Sequence, residues 1–235
     1  MTLSAQLRGD APGIVAILRG VQPDQVVGIA RALIDADIRI IEIPLNSPQP
    51  LASIERLVAS VGEHALIGAG TVLSANAVDA VAAAGGRLIV SPNTDPAVIG
   101  RTLERGLDAL PGAMTPTEAF AAIAAGARHI KLFPGGSTGP KHLRALREVL
   151  PTECSVWAVG GVNAANLTQW LDAGAGGVGV GGSLYQPGSS AEAVRTLAVE
   201  LVAAWRTTRA RPTARSPVDP ASVGHSQPDP LHSSR

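Results

Sequence analysis

The sequence predicts an α/β protein built as a single (β/α)8 TIM barrel, followed by a disordered C-terminal tail. Short apolar runs rich in Val, Ile and Leu alternate with longer segments of helical periodicity, which is the pattern of βα units around a parallel sheet. The chain has 235 residues, of which 46% are hydrophobic, and a barrel of this kind typically takes ~250 residues. One barrel therefore accounts for the folded part of the chain.

The expected elements follow one another in regular order. We predict strands over 14–18, 38–43, 65–69, 87–91, 107–110, 128–133, 155–159 and 176–181. We predict helices over 23–36, 48–61, 74–84, 95–105, 115–125, 139–149, 163–173 and 190–205. Cap-forming residues such as Ser74, Asp95 and Thr115 stand at helix starts and glycines such as Gly85 and Gly126 at helix ends, which supports these boundaries.

The main alternative fold is an open, doubly wound sheet. A repeated Ala-x-Gly-x-x-apolar phrase, seen in AAAGGRLIV, IAAGARHIKL and LDAGAGGVGV, favours a closed ring, and no early G-x-G-x-x-G fingerprint is present. After Trp205 the composition becomes polar and proline-rich, without a period. We therefore expect a barrel domain over 1–206 and a disordered tail over 207–235, whose removal after Arg206 should leave activity and melting temperature unchanged.

Composition and charge narrow the class of partner. The formal net charge is +0 and charged residues make up 16%, so we expect neither nucleic acid nor a membrane surface as a partner. No apolar run approaches ~20 residues and the start of the chain lacks a signal-peptide pattern, which predicts a cytoplasmic protein that acts on a small molecule. Because the histidines lack metal-ligand spacing and Cys154 is the one cysteine, we expect no metal, no cofactor and no internal disulfide.

Lysine is scarce in this chain, since only Lys131 and Lys141 occur among the 19 Lys and Arg residues. Arginine cannot lose its proton at useful pH, whereas a desolvated lysine can do so and attack a carbonyl. Lys131 lies in HIKLFP between Ile130 and Leu132, so strand alternation directs it away from these two and into the barrel. Lys131 is therefore the candidate nucleophile, and a lysine that only snorkels at a strand end is the alternative.

Glu42 stands among isoleucines in IIEIPLNSP, at the end of the second predicted strand. A buried, unpaired carboxylate is costly, so Glu42 needs either a cationic partner or a proton to exchange. Two interpretations follow. Glu42 is a structural ion-pair partner, or it lies beside Lys131 and relays protons.

Glycine-rich segments, AVGGV and GVGVGGS, follow the seventh and eighth strands. Barrels commonly bind phosphate there through backbone N–H groups and a helix N-terminus, although glycine also serves tight turns. Arg19 and Thr71, which close the first and third strands, can bind the carboxylate end of a substrate. A surface salt bridge is the alternative for Arg19. All of these residues stand at strand ends, where barrel active sites gather.

Six segments occur together and in order: AILRG, EIPLNSP, LIGAGTV, IVSPN, HIKLFP and AVGGV. Over about residues 12 to 206 the sequence resembles the family of 2-keto-3-deoxy-6-phosphogluconate and 2-dehydro-3-deoxy-6-phosphogalactonate aldolases. EIPLNSP stands where the phosphogluconate branch usually has E-[VI]-T-x-R-[TS]-P, so Asn46 replaces an arginine and the chain is closer to the phosphogalactonate branch. It departs from the family in VGGSLY, where LGSDLY-like sequence is common, and in the glycine-rich PGGSTGP.

The resemblance implies a reversible, metal-free cleavage that gives pyruvate and D-glyceraldehyde 3-phosphate, in a protein that is typically a trimer. It implies that Lys131 forms an imine and that Glu42 is the general acid/base. It also implies a set of substrate-binding residues, namely Arg19, Thr71 and Pro92 around pyruvate and Gly160, Gly161, Gly182 and Ser183 around phosphate. Val159 stands where the phosphogluconate branch commonly has threonine, which predicts a change in preference between the C4 epimers.

Three other functions remain open at this point. The chain can prefer the phosphogluconate, it can be a phosphate-binding isomerase or epimerase with the same glycine loops, or it can be a catalytically silent sugar-phosphate sensor. The presence of both Lys131 and Glu42 favours the aldolase.

Overall fold

The computed structural model describes residues 2–8 and 11–211. Its strands are β1 Ile14–Ile17, β2 Ile40–Pro44, β3 Leu66–Gly70, β4 Leu88–Val90, β5 Asp108–Leu110, β6 Gly112–Ala113, β7 His129–Leu132, β8 Ser155–Val159 and β9 Gly177–Val180. Its helices are α1 Leu3–Arg8, α2 Val26–Asp35, α3 Pro50–Val61, α4 Ala75–Ala83, α5 Pro96–Glu104, α6 Pro116–Ala124, α7 Gly135–Val149, α8 Leu167–Asp172 and α9 Ala191–Arg209.

The strands form one parallel sheet in the order β5-β4-β3-β2-β1-β9-β8-β7-β6. The segments β5 and β6 are separated only by Pro111, which has no N–H to donate to a neighbouring strand. The carbonyl of Pro111 nevertheless accepts the N–H of Lys131 at 2.8 Å. The two segments are therefore parts of one strand, and the sheet closes into the predicted eight-unit barrel, with its fifth strand divided by proline.

The barrel interior contains an apolar cluster that is separate from the larger core between strands and helices. This interior cluster consists of Leu3, Val15, Ile40, Leu66, Leu88, Val90, Leu110 and Trp157. The indole of Trp157 lies against Gly177 on β9, where an added Cβ would overlap the ring. A side chain as large as tryptophan fits here because the neighbouring strand carries none at that position.

The short helix α1 closes the N-terminal end of the barrel, and the sequence did not predict it. Leu3 is fully buried within the interior cluster. The N–H of Leu3 donates to the carboxylate of Asp108 at 2.9 Å, and Ser4 Oγ lies 3.0 Å from Nε2 of His129. The lower end of the barrel is thereby filled, which leaves the C-terminal end open for chemistry.

Three helix starts agree with the predicted caps, whereas three others differ by three or more residues. Ser74, Asp95 and Thr115 each accept backbone N–H groups at their helix starts. Helix α2 begins at Val26 and α8 at Leu167, three and four residues later than expected. Helix α7 starts at Gly135, four residues earlier than expected, and Gly139 interrupts it with a non-helical φ of 77°. Within the described residues, no helix has both the length and the apolar character to cross a bilayer.

The last helix is longer than predicted, because α9 continues through Arg209. Residues 207–209, which we expected to belong to the tail, are therefore helical. The polar composition of this stretch gave no indication that Thr208 is buried. Thr208 Oγ1 lies 2.8 Å from Oγ1 of Thr168, which belongs to α8. The remainder of the expected tail, from residue 212, lies outside the described residues.

Candidate active site

Lys131 and Glu42 lie on strands that face each other across the barrel, since β7 and β2 are four places apart around the ring. Both side chains are buried, at 6% and 1% exposure. The neighbours Ile130 and Leu132 belong to the outer core, as strand alternation predicts for an inward-facing Lys131. The fold therefore brings one amine and one carboxyl group into the same apolar interior.

Burial changes the protonation chemistry of both groups. It raises the pKa of Glu42 from 4.5 to about 7, against the opposing effect of the positive charges of Lys131 and Arg19. It lowers the pKa of Lys131, which the carboxylate of Glu42 partly offsets and the charge of Arg19 reinforces. Because the two pKa values approach each other, the amine can become a neutral nucleophile while the carboxyl group exchanges protons near neutral pH.

The carboxyl group of Glu42 packs against bare backbone on β3. A Cβ added to Gly70 would overlap both carboxyl oxygens of Glu42. Within the described residues, Oε2 of Glu42 is buried and has no hydrogen-bond partner. One oxygen thus has no partner in the described protein, and Gly70 is a candidate site residue that the sequence did not indicate, because LIGAG has the pattern of an ordinary buried strand.

Phe133 is a second residue that the sequence analysis missed. The Nζ atom of Lys131 lies 4.5 Å from the centre of the Phe133 ring, two residues further along the same side of the chain. The ring face attracts an ammonium group, so Phe133 holds the end of the lysine side chain in place. The same period-two alternation that directs Lys131 inward could have indicated Phe133.

Arg19, Asn46 and Thr71 meet at the mouth of the barrel, on the loops after β1, β2 and β3. One guanidinium nitrogen of Arg19 donates to Oδ1 of Asn46, and another donates to Oγ1 of Thr71 at 3.5 Å. Thr71 has a φ of 56°, a left-handed conformation that is rare for a β-branched residue. Such outliers occur at functional sites, and this one turns the hydroxyl of Thr71 toward Arg19. The cluster can bind an anionic group such as a carboxylate.

Pro92 lies in the loop after β4, beside the fifth strand of the barrel, which consists of β5 and β6. Its carbonyl packs so closely on Gly112 that an added Cβ there would overlap it. Gly112 is the register partner of Lys131. Pro92 therefore stands next to the lysine strand at the mouth.

The two glycine loops also meet at this end of the barrel. Gly160 and Gly161 have positive φ values of 105° and 73°, which a side chain would strain. Ser183 Oγ donates to the carbonyl of Val162 at 2.6 Å and so joins the loop after β9 to the loop after β8. Among the described residues no acceptor is present for the N–H groups of Gly161, Gly182 and Ser183. Free N–H groups on adjacent loops can bind a phosphate.

Val159 ends β8 directly before Gly160 and is buried. Its methyl groups fill the space above Gly179 on β9, where an added Cβ would lie 2.8 Å from Cγ2. The side chain therefore points into the barrel between Lys131 and the glycine loops, and it presents no hydrogen-bonding group there.

One groove within the described residues lies away from this mouth. This groove of about 400 Å³, lined by Glu63, Gly85 and Arg87, lies at the N-terminal ends of β3 and β4, opposite the strand ends where barrels bind substrates. Within the described part of the chain, no three His, Cys, Asp or Glu residues are grouped as ligands for a metal ion.

Known proteins are similar to this chain in sequence and in fold. The family model of KDPG and KHG aldolases matches residues 7–199. The chain is 48% identical to 2-dehydro-3-deoxy-6-phosphogalactonate aldolase of Escherichia coli strain K12, over 82% of this chain and 94% of that protein. A solved structure described as native KDPGal is 46% identical with a TM-score of 0.84, over 86% of this chain and 98% of that one.

A second similar structure is a cube-shaped protein cage designed by fusing symmetric oligomeric domains, again at 46% identity and a TM-score of 0.84. It covers 86% of this chain and 74% of that one. The closed barrel, with glycine loops beside an opposed lysine and glutamate, places the chain among the barrel aldolases of phosphorylated sugar acids. It belongs to the family of KDPG and KHG aldolases.

Proposed function

We propose that this protein is a class I aldolase that cleaves 2-dehydro-3-deoxy-6-phosphogalactonate to pyruvate and D-glyceraldehyde 3-phosphate. The opposition of Lys131 and Glu42 inside the barrel, with pKa values displaced toward each other, carries the proposal. The name of the Escherichia coli relative supports the same substrate.

The reaction begins when the neutral amine of Lys131 attacks the C2 carbonyl and forms a carbinolamine. Protonated Glu42 gives its proton to the carbinolamine hydroxyl, which leaves as water, and this step produces a protonated imine and the carboxylate of Glu42. Glu42 then accepts the proton of the C4 hydroxyl, and the C3–C4 bond breaks. The electron pair of the C3–C4 bond moves toward the imine and forms an enamine, while C4 becomes the aldehyde carbon of glyceraldehyde 3-phosphate. Protonation of C3 and addition of water to the imine release pyruvate and restore Lys131.

The remaining residues hold the two ends of the substrate. Arg19, Thr71 and Pro92 surround the pyruvate end, where paired guanidinium donors suit a carboxylate. The N–H groups around Gly160, Gly161, Gly182 and Ser183 bind the phosphate. Two anchors far apart fix the reacting carbons between Lys131 and Glu42, which lowers the entropy cost of reaching the transition state.

Covalent trapping of Lys131 tests the proposal. Incubation with pyruvate and borohydride should add a pyruvate-derived mass to the peptide that contains HIKLF. Lys131→Arg should abolish both labelling and cleavage, because arginine stays protonated, whereas Lys141→Arg is the matched control and should keep both. Labelling that persists in Lys131→Arg would exclude the imine. A wild type that isomerises or epimerises a sugar phosphate, with neither cleavage nor labelling, would instead favour an isomerase-like barrel.

We also propose a homotrimer, as the resemblance implies. Several large apolar side chains are exposed on consecutive barrel units, namely Leu73, Leu103, Met114 and Phe120. We call these four residues the apolar belt. Contiguous exposed apolar surfaces commonly mark protein interfaces, and we infer that the apolar belt forms one. The similar protein cage was designed by fusing symmetric oligomeric domains, which supports an oligomer. Because a phosphorylated substrate crosses bilayers poorly, we place the enzyme in the cytoplasm.

A further inference from the structure

Arg19 is attached to a backbone that a neighbouring loop holds in place. The N–H of Gly20, the next residue, donates to Ser47 Oγ at 3.0 Å. Ser47 is buried at 8% exposure, and it belongs to the loop after β2, whereas Gly20 belongs to the loop after β1. This hydrogen bond joins the two loops directly behind the guanidinium that faces the mouth.

Both partners of this bond are themselves fixed. The N–H of Ser47 donates to the carbonyl of Pro44 at 2.9 Å, which ties the serine to the end of β2. Gly20 has a φ of 80°, and an added Cβ would lie only 2.8 Å from Cγ of Pro187 in the loop after β9. The chain at Gly20 is therefore held on one side by Ser47 and on the other by Pro187.

The side chain of Arg19 depends on this support because it is otherwise exposed. A free arginine samples many rotamers, and ordering it costs conformational entropy. Its guanidinium nevertheless contacts Asn46, the residue before Ser47, and Thr71. Because the backbone at Gly20 is already fixed, only the side chain of Arg19 must be ordered to keep these two contacts.

We propose that Ser47 is a positioning residue for substrate binding. Its hydroxyl fixes the backbone at Gly20, so that the guanidinium of Arg19 stays beside Asn46 and Thr71, where it binds the carboxylate of pyruvate and of the substrate. This inference rests on the proposed function, because it assigns Arg19 to the carboxylate.

The test compares Ser47→Ala with Ser53→Ala. Ser53 is the matched control because it is a fully buried serine in α3 whose Oγ has no hydrogen-bond partner among the described residues. We expect Ser47→Ala to raise the KM for the phosphogalactonate, and the pyruvate concentration for half-maximal borohydride trapping, by roughly two- to tenfold. Its kcat should change less than twofold, because a contact made equally to substrate and transition state affects KM alone. Ser53→Ala should leave all three quantities unchanged.

A double-mutant cycle shows whether the effect passes through Arg19. In an Arg19→Met background, Ser47→Ala should raise KM no further, because the guanidinium that it positions is gone. The same increase in both backgrounds would overturn the inference, and so would an unchanged KM in the single variant. If Ser47→Ala does not fold, Ser47→Thr, which retains the hydroxyl, must keep a wild-type KM, and a raised KM there would overturn it too. An inactive wild type that traps no pyruvate would instead reject the proposed function.

Discussion

The carboxyl group of Glu42 and the amine of Lys131 each influence how the other titrates. Glu42 raises the pKa of Lys131 against the larger, lowering effect of burial. Because each charge shifts the pKa of the other group, a pH profile of imine formation depends on both residues. The change in this pH dependence when Glu42 is replaced therefore tests the influence of Glu42 on Lys131.

Replacing Glu42 by glutamine should lower two quantities, the pH of half-maximal trapping and the turnover rate. Loss of the carboxylate removes the influence that raises the pKa of Lys131, so half-maximal trapping of pyruvate should occur at a lower pH than in the wild type. Turnover of the phosphogalactonate should fall by roughly 10²- to 10⁴-fold, since proton transfer is lost. Glu55→Gln on the exposed face of α3 is the control and should change neither. Undiminished turnover would remove Glu42 from the mechanism.

We expect Val159 to have a smaller effect, on the choice between C4 epimers. A threonine at this buried position would place a hydroxyl between Lys131 and the glycine loops, and a single hydrogen bond is worth ~0.5 to 1.5 kcal/mol, or roughly two- to tenfold in rate. We expect Val159→Thr to move the ratio of kcat/KM toward the phosphogluconate by about that factor. Val149→Thr, at an exposed position of α7, should leave the ratio unchanged. An unchanged ratio in Val159→Thr would leave Asn46 as the candidate determinant.

At the residue level, the sequence predicted what a single strand determines and missed what two strands determine together. The inward direction of Lys131 follows from its apolar neighbours on β7, so alternation was sufficient. The roles of Gly70 and Ser47 arise from contacts with Glu42 on β2 and Gly20 after β1, respectively. No local pattern specifies which residues of separate strands and loops will touch, so these two could not be identified.

At the level of elements, prediction succeeded where periodicity was strong and failed where tertiary contacts decided. The six residues of α1 carry too short a pattern to be recognised, and they are helical in a segment where Leu3 is buried inside the barrel. Pro111 hid the continuity of the fifth strand because proline normally ends a strand. In α9, the polar sequence after Trp205 did not indicate the last helical turn, which packs against α8.

The end of α9 gives a stability prediction. Truncation after Arg206 removes Thr208, whose hydroxyl bonds to Thr168 and to the carbonyl of Ala204. We expect this variant to be less stable than one truncated after Arg211 by roughly 1 to 2 kcal/mol. Urea unfolding of the two truncated proteins measures the difference, and both lack the same residues from 212 onward. Equal stabilities would show that the last turn of α9 contributes nothing.

At the level of the whole molecule, the apolar belt is the feature that a single chain leaves unexplained. We expect light scattering of the wild type to give three times the 23.9 kDa mass of one chain. Phe120→Asp introduces a charge at the belt and should shift the protein toward lower mass, because desolvating an unpaired carboxylate in an interface is unfavourable. Val149→Asp, exposed on α7 outside the belt, should leave the mass unchanged. A monomeric wild type would contradict the trimer.

The contact between Gly70 and Glu42 also limits how this sequence can evolve. Glycine is the smallest amino acid, so every amino-acid replacement at position 70 adds at least the Cβ that would overlap the carboxyl group. Substitution of Gly70 is therefore excluded for as long as position 42 carries glutamate and the barrel keeps this shape. The two positions lie 28 residues apart in the sequence, yet the residue at one position limits the residues that the other can carry. Position 70 could accept a larger residue only after a residue with a shorter side chain had replaced Glu42.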